Sequence, residues 1–383
     1  MNIGLDAKRA FHNNTGLGNY SRTLIQSLSQ YHPEHEYFLF NPKLSNKYQL
    51  EGKNIHEIIP TRFIDKLFTS AWRSSWVKND LKKLNIELYH GLSHEIPVGI
   101  NKTGIKSIVT IHDLIYKRYP NQFNPIDVKI YDKKFNYASK NADHIIAISH
   151  QTKQDIINYF GTSPEKISVC HISCAPSFAD VVDQIEKDRI KKLFKLPNEY
   201  FLYVGSIIER KNLLNICKAI LLLKSELNIP LVVIGNGKKY KEQVKSFVKE
   251  NGLENEIIFL SENINAKTSS EFFYGSCFPA IYQSAIAMIF PSIFEGFGLP
   301  VLEALWSKTP VITSNISSLP EVGGKDTYYV DPFNPKEIAE GMKKIYSDKS
   351  FTENMKAEGW KLAHHFTQEN CANFVMDVYK KIC

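Results

Sequence analysis

The stretch from Pro291 to Leu305, Pro-Ser-Ile-Phe-Glu-Gly-Phe-Gly-Leu-Pro-Val-Leu-Glu-Ala-Leu, constrains this chain more than any other. The apolar run Ala285 to Phe290 before it predicts a buried strand. Gly296 and Gly298 predict a loop whose backbone a ligand can approach closely. Pro300 suits the first turn of a helix, where a missing N–H costs nothing, and Val301 to Leu305 carry that helix on. Pro310-Val311-Ile312-Thr313 predicts the following strand. Strand, glycine loop, helix and strand in this order describe an open α/β sheet, and in such sheets ligands bind outside the carboxyl ends of the strands.

Glu295 and Glu303 stand eight positions apart across that loop. The N–H groups at the start of the helix between them attract anions such as phosphate. A site that accepts hydroxyls from two sugars and holds phosphate between them needs this arrangement. The plainer reading is a solvated Glu295 and a Glu303 that complements the helix dipole.

Other stretches point the same way. Thr15-Gly16-Leu17-Gly18-Asn19-Tyr20 is a glycine turn feeding a helix, a ready diphosphate site. Ser107 to Ile111 predicts a strand with His112 and Asp113 at its carboxyl end; His112 is the candidate for chemistry and Asp113 for local order. Asp143 to Ser149 predicts another strand with Ser149 at its tip, and Ser149 or Thr152 can cap the helix that follows. Tyr200 to Gly205 predicts a strand, after which Arg210 and Lys211 can reach phosphate oxygens through charge-assisted bonds. Residues 62 to 84 are amphipathic and basic, and predict a core helix with a solvated basic face; the competing reading is a helix lying on a membrane surface.

Composition narrows the class. The 383 residues suffice for two domains, and 43% apolar with 23% charged residues is ordinary for a globular protein. No run approaches a membrane span and no signal peptide opens the chain, which predicts a cytoplasmic protein. The six cysteines form no paired CxxC set and are expected to be reduced, with no metal. A net charge of +7 suits anionic ligands, but no nucleic-acid-binding motif is present, so no nucleic acid partner is expected.

Phe294-Glu295-Gly296-Phe297-Gly298-Leu299-Pro300 through Glu303 resembles the E-x7-E motif of glycosyltransferase family 4, the group 1 glycosyltransferases. Gly16/Gly18, His112-Asp113 and Arg210-Lys211 match the same family in order and approximate spacing. The resemblance implies the α/β GT-B fold, two Rossmann-like doubly wound domains facing each other across a cleft. It places an acceptor-side domain at 1–178, a nucleotide-sugar-binding domain at 179–365 and a returning helix at 366–383. It implies a retaining, metal-independent hexosyl transfer from a nucleotide-diphosphate sugar to a glycan or lipid-linked acceptor. Mannose from GDP-mannose is the favoured donor, in cell-surface polysaccharide synthesis, with a peripheral membrane contact allowed. His112 and Glu295 take the catalytic places. Gly16, Gly18, Arg210, Lys211, Phe297, Gly298, Leu299 and Glu303 bind the donor, and Ser149 lies on the acceptor side. The family often has Gly at Thr15 and Arg at Asn19, so no side-chain contact is assigned at that loop. It usually has Gly at Ser261, near where it holds the nucleobase, so the sequence does not name the base.

A nucleotide-sugar epimerase of the same shape and a non-catalytic sugar-binding subunit are the alternatives. The second is opposed by the presence of Arg210, Lys211, Glu295 and Glu303 together. A nicotinamide-dependent oxidoreductase is opposed by the Gly16 turn, which lacks the full G-x-G-x-x-G pattern.

Overall fold

A computed structural model describes all 383 residues, Met1 to Cys383. The chain divides into two compact units, Met1–Cys174 with Phe366–Cys383, and Ala175–His365.

The first unit is built on seven strands: β1 (Asn2–Asp6), β2 (Glu36–Phe40), β3 (Ile55–Ile58), β4 (Leu88–Gly91), β5 (Lys106–Ile111), β6 (His144–Ala147) and β7 (Ile167–Val169). They pair in parallel in the order β3-β2-β1-β4-β5-β6-β7. The strand order reverses between β1 and β4, the kind of point at which doubly wound sheets bind ligands. Helices cover both faces, so strand residues such as Ile3, Leu5, Val109, Ile111, Ile145 and Ala147 are fully buried and the strands read as unbroken apolar runs. The helices that matter below are α1 (Gly16–Tyr31), α2 (Pro125–Asn141) and α3 (His150–Phe160). Asn124 caps α2 through the Ile126 N–H, with Pro125 at its first position, and Ser149 caps α3. The C-terminal helix, Gln368–Ile382, packs on α1, and its Tyr379 hydroxyl lies 2.6 Å from His90 Nδ1 in β4.

The second unit repeats the plan with six parallel strands: β8 (Phe201–Val204), β9 (Leu231–Ile234), β10 (Ile257–Phe259), β11 (Ala287–Phe290), β12 (Val311–Ser314) and β13 (Tyr328–Val330), in the order β10-β9-β8-β11-β12-β13. Its reversal falls between β8 and β11. The strand expected at Ala285–Phe290 begins at Ala287, and β11 is wholly buried. Two helices flank its site: α4 (Phe278–Gln283) and α5 (Leu299–Trp306).

The segment 62–84 corrects the expectation of one core helix. It breaks into Phe63–Leu67, Thr69–Ala71, a π-helical turn Trp72–Trp76 and Lys78–Lys83. Trp72 and Leu81 are buried as a core helix requires. Phe63 is 83% exposed, and Ile64, Leu67 and Phe68 are also exposed. The apolar pattern of the first half therefore faces outward, which periodicity alone does not distinguish from facing inward. No helix is long and apolar enough to cross a membrane.

Candidate active site

In the first unit the glycine turn starts α1 tightly. A Cβ on Gly18 would stand 1.9 Å from the Asn13 carbonyl oxygen, so only glycine fits. Two residues that the motif reading passed over hold this turn. Asn13 Oδ1 accepts from the Thr15 N–H at 2.8 Å and the Gly18 N–H at 3.3 Å. The Arg22 guanidinium donates to the Ala10 and Asn13 carbonyls, each at 2.8 Å, and to Asn19 Oδ1. Gly16 itself stays exposed at the helix start.

Tyr20, one turn into α1, joins this turn to His112. Its ring meets the His112 imidazole edge-on, with centroids 4.6 Å apart, and its hydroxyl lies 3.0 Å from Thr110 Oγ1. His112 is buried at the end of β5. Its Nε2–H donates to the Leu92 carbonyl at 2.9 Å, which leaves Nδ1 as the acceptor nitrogen. Burial holds its pKa down to about 4, and Arg9 opposes protonation further, although the bond to Leu92 favours it. The ring is therefore neutral at physiological pH. His94 accepts from the His112 backbone N–H and stacks on Phe135 with centroids 4.3 Å apart. Asp113 Oδ1 accepts from the Ile115 N–H, an ordering role.

Ser149 is a correction. It is fully buried, its oxygen accepts from the Thr152 N–H at 3.0 Å, and its hydroxyl donates to Thr152 Oγ1. Thr152 in turn donates to the His112 carbonyl at 3.0 Å. Ser149 thus supports the His112 backbone from α3 and has no exposed surface with which to touch an acceptor.

In the second unit the loops after β8 and β11 meet at the reversal point. Asn212 takes a left-handed conformation, φ 60°, and its amide donates to the carbonyls of Pro291 and Pro332. That turns Arg210 and Lys211 toward the loop after β11. Arg210 lies 3.0 Å from Glu295 and also donates to the Phe294 carbonyl, while its Nε is buried with no acceptor. Lys211 Nζ lies 3.6 Å from the same Glu295 oxygen and 4.9 Å from the Phe290 ring centroid. Burial pulls the Lys211 pKa down, and Glu295 counters it. Burial also penalises the Glu295 carboxylate, but Lys211, Arg210 and a 2.8 Å bond from Ser292 outweigh it and hold its pKa below the ordinary value.

The same loop is laced by serines. Ser317 Oγ accepts from the Glu295 N–H, and the Ser318 hydroxyl lies 2.9 Å from both the Glu295 and Phe297 carbonyls. Gly298 has φ 118°, a conformation closed to other residues, and starts α5. Phe297 is buried, and Leu299 and Glu303 are partly exposed on the entry to α5. Burial raises the Glu303 pKa to about 7 even though the Tyr282 hydroxyl and Lys211 favour its ionised form. At the end of β10, the Ser261 hydroxyl accepts from the Gly235 N–H at 2.9 Å. The predicted donor residues Arg210, Lys211, Glu295, Phe297, Gly298, Leu299 and Glu303 thus gather on two loops and one helix start. Gly16, Gly18 and His112 gather separately in the first unit through Tyr20.

Residues 184–362 match the family described as glycosyl transferases group 1, and residues 14–172 match glycosyltransferase family 4. O-antigen chain mannosyltransferase B of Escherichia coli is 26% identical over 386 aligned positions, which cover 96% of each chain. A glycosyltransferase from Rickettsia africae has a TM-score of 0.76 at 16% identity, covering 100% of this chain and 98% of its own. Anabaena HepE in complex with UDP-glucose has a TM-score of 0.73 at 12% identity, covering 99% of each. These structural likenesses show a shared fold, two parallel sheets with helices in the GT-B architecture.

Proposed function

The chain belongs to the group 1 glycosyl transferases and is a glycosyltransferase, and from that premise we propose that it moves a mannosyl group from GDP-mannose, with retention, to a hydroxyl of a cell-surface glycan or its lipid-linked precursor. The observation that carries the reading is the charge balance at the β8–β11 reversal. Two buried cations, Arg210 and Lys211, face one ionised carboxylate, Glu295. Burial pushes the Glu303 carboxyl up to about 7. The loop therefore sets two cations on the one carboxylate they directly pair with, at a helix start whose N–H groups add to the positive potential. A diphosphate matches this, because cations and backbone dipoles fixed in a low-dielectric site stabilise the charge that develops on a leaving group.

In this reading Arg210, Lys211 and the N–H groups around Gly298 and Leu299 hold the diphosphate. Glu303 accepts hydrogen bonds from the ribose hydroxyls and Glu295 from the sugar hydroxyls. The first unit by itself offers the helix-start N–H groups of α1, which suit an anion, and a neutral His112 whose Nδ1 can accept from a hydroxyl. The acceptor oxygen bonds to C1 on the face from which the diphosphate departs. The C1–O bond to phosphate breaks with its electron pair going to phosphate, and the acceptor's proton passes to that phosphate oxygen. The mannosyl choice follows the Escherichia coli relative.

The exposed face of Phe63, Ile64, Leu67 and Phe68, flanked by Arg62 and Lys66, supports a peripheral contact with anionic lipid, where a lipid-linked acceptor would reside. The protein should sediment with vesicles containing phosphatidylglycerol and not with pure phosphatidylcholine; equal recovery in both would remove this part.

The test of the main reading is a donor panel. GDP-mannose, UDP-glucose and other nucleotide sugars are incubated with the protein, the melting temperature is followed, and products are analysed by NMR. GDP-mannose should raise the melting temperature most and yield an α-linked mannosyl product on a suitable acceptor. Conversion of the donor sugar with no acceptor added would favour an epimerase, and no shift with any nucleotide sugar at saturation would overturn the proposal.

A further inference from the structure

We propose that Tyr282 is a positioning residue for ribose recognition: it holds the Glu303 carboxylate in the orientation that accepts hydrogen bonds from the donor's 2′- and 3′-hydroxyls. The inference rests on the assignment of Glu303 to the ribose made above. The Tyr282 hydroxyl donates to Glu303 Oε2 at 2.7 Å, and the Tyr282 side chain is fully buried. Its own frame is fixed from three sides. The Tyr200 hydroxyl donates to the Ile281 carbonyl at 2.7 Å, Thr309 Oγ1 donates to the Tyr282 carbonyl at 2.7 Å, and the Phe178 ring meets the Tyr282 ring edge-on at 5.3 Å. The phenol is thus a rigid donor aimed at one oxygen of a flexible carboxylate.

A glutamate side chain loses substantial rotamer freedom when it is ordered, so a ligand that must order it binds more weakly. A tether made before the ligand arrives removes that cost. An ionised carboxylate offers about four lone-pair positions. One bond to Tyr282 therefore leaves room for both ribose hydroxyls. The other charged group acting on Glu303 is Lys211, from the turn after β8, and it favours the ionised form as Tyr282 does. Tyr282 lies outside the Glu295–Glu303 string, on the helix before β11, so no motif at the loop names it.

The experiment measures the affinities of GDP, 2′,3′-dideoxy-GDP and inorganic pyrophosphate by calorimetry, from pH 6 to 9. Wild type should prefer GDP over the dideoxy analogue by roughly tenfold at pH 8, the scale of lost hydrogen bonds to a charged group. In Tyr282→Phe that preference should fall to roughly two- to threefold at pH 8, its pH midpoint should move upward, and pyrophosphate should bind as in wild type. Unchanged pyrophosphate binding reports a folded diphosphate site. Incorporating 3-fluorotyrosine at 282, with a more acidic hydroxyl and nearly native volume, should move the midpoint downward and covers the case in which the phenylalanine variant does not fold. A wild-type preference and midpoint in either variant would overturn the inference. If Glu303→Ala also keeps the full preference for GDP, the ribose role of Glu303 falls with it; if Glu303→Ala loses it and the Tyr282 variants do not, only the role of Tyr282 falls.

Discussion

Around the reversal between β1 and β4, the charged side chains close on one another. Asp6 and Glu95 share Arg73, and Glu95 also takes Lys134, two negative charges against two positive. The histidines beyond them are neutral: burial holds His112 at about 4 and His90 at about 3. Around the reversal between β8 and β11, Arg210 and Lys211 share a single ionised carboxylate. The two sheets follow the same winding, yet the first reversal point sets its most buried cation, Arg73, between two carboxylates, with Lys8 and Arg9 nearby, and the second sets Arg210 and Lys211 on one carboxylate. Topology supplies the location of a site, and the side chains at the strand ends decide what it binds.

The comparison can be broken first where the expected effect is largest. Lys211→Ala and Glu295→Ala should each lower transfer by at least roughly 10³-fold, the scale seen when a preorganised charge is removed from a transition state. The two should differ in stability. Glu295→Ala leaves two buried cations without their counter-charge and should melt below wild type, with GDP restoring more of its melting temperature than it adds to wild type. Full transfer activity in either variant would remove that residue from the site.

A smaller effect is expected from packing in the first unit. Gly18→Ala forces a methyl group against the Asn13 carbonyl and should lower the melting temperature by roughly 3–10 °C, the scale of overpacking. An unchanged melting temperature would show that the turn can open at no cost.

The pH dependence sharpens the contrast between a neutral and a charged site. Glu303 holds its proton to about 7 in the folded chain, against an ordinary value of 4.5. The folded state therefore binds more protons than the unfolded one between these values, and stability falls as pH rises through that window. Glu303→Gln removes this loss. It should melt up to roughly 5 °C above wild type at pH 8, while the two proteins melt alike near pH 4.5. The same titration should give GDP affinity an acid limb near pH 7 that Glu303→Gln flattens. His112→Asn, by contrast, should lower the rate and leave the pH profile unchanged between about 5.5 and 8, because the imidazole it replaces is already neutral there. A profile that loses a step near 6.5 in His112→Asn would show a charged histidine in the working enzyme.

The smallest expected effect on the fold is at Phe63→Ser with Leu67→Ser. Both side chains are exposed, so the melting temperature should stay within roughly 1–2 °C of wild type, and vesicle binding should be lost. A large drop in stability would mean that these side chains are packed in solution.

Much of the candidate site is legible along the chain because its parts are local. The glycines at 16, 18, 296 and 298, the Pro300 helix start and the Arg210-Lys211 pair declare turn, helix start and charge within a few residues each. Ser149 shows where local reading stops. Its place at a strand tip was legible, but its full burial and its bonds to Thr152 were not. The segment 62–84 shows the same limit, since an amphipathic period says that one face is apolar without saying that anything covers it.

The sequence by itself determined the succession of strand, glycine turn and helix, the residue types at each strand end and the family to which the chain belongs. Only the tertiary structure decided which groups are ionised and which are held in place. Glu295 is held below the ordinary carboxylate value and Glu303 is pushed up to about 7, though they sit eight residues apart in one motif, because the first meets Arg210 and Lys211 and burial dominates the second. Burial and charge partners come from residues distant in the chain, Arg210 from 85 positions before Glu295 and Tyr282 from 21 before Glu303. No local pattern carries that information, since desolvation and Coulomb energy depend on separation in space.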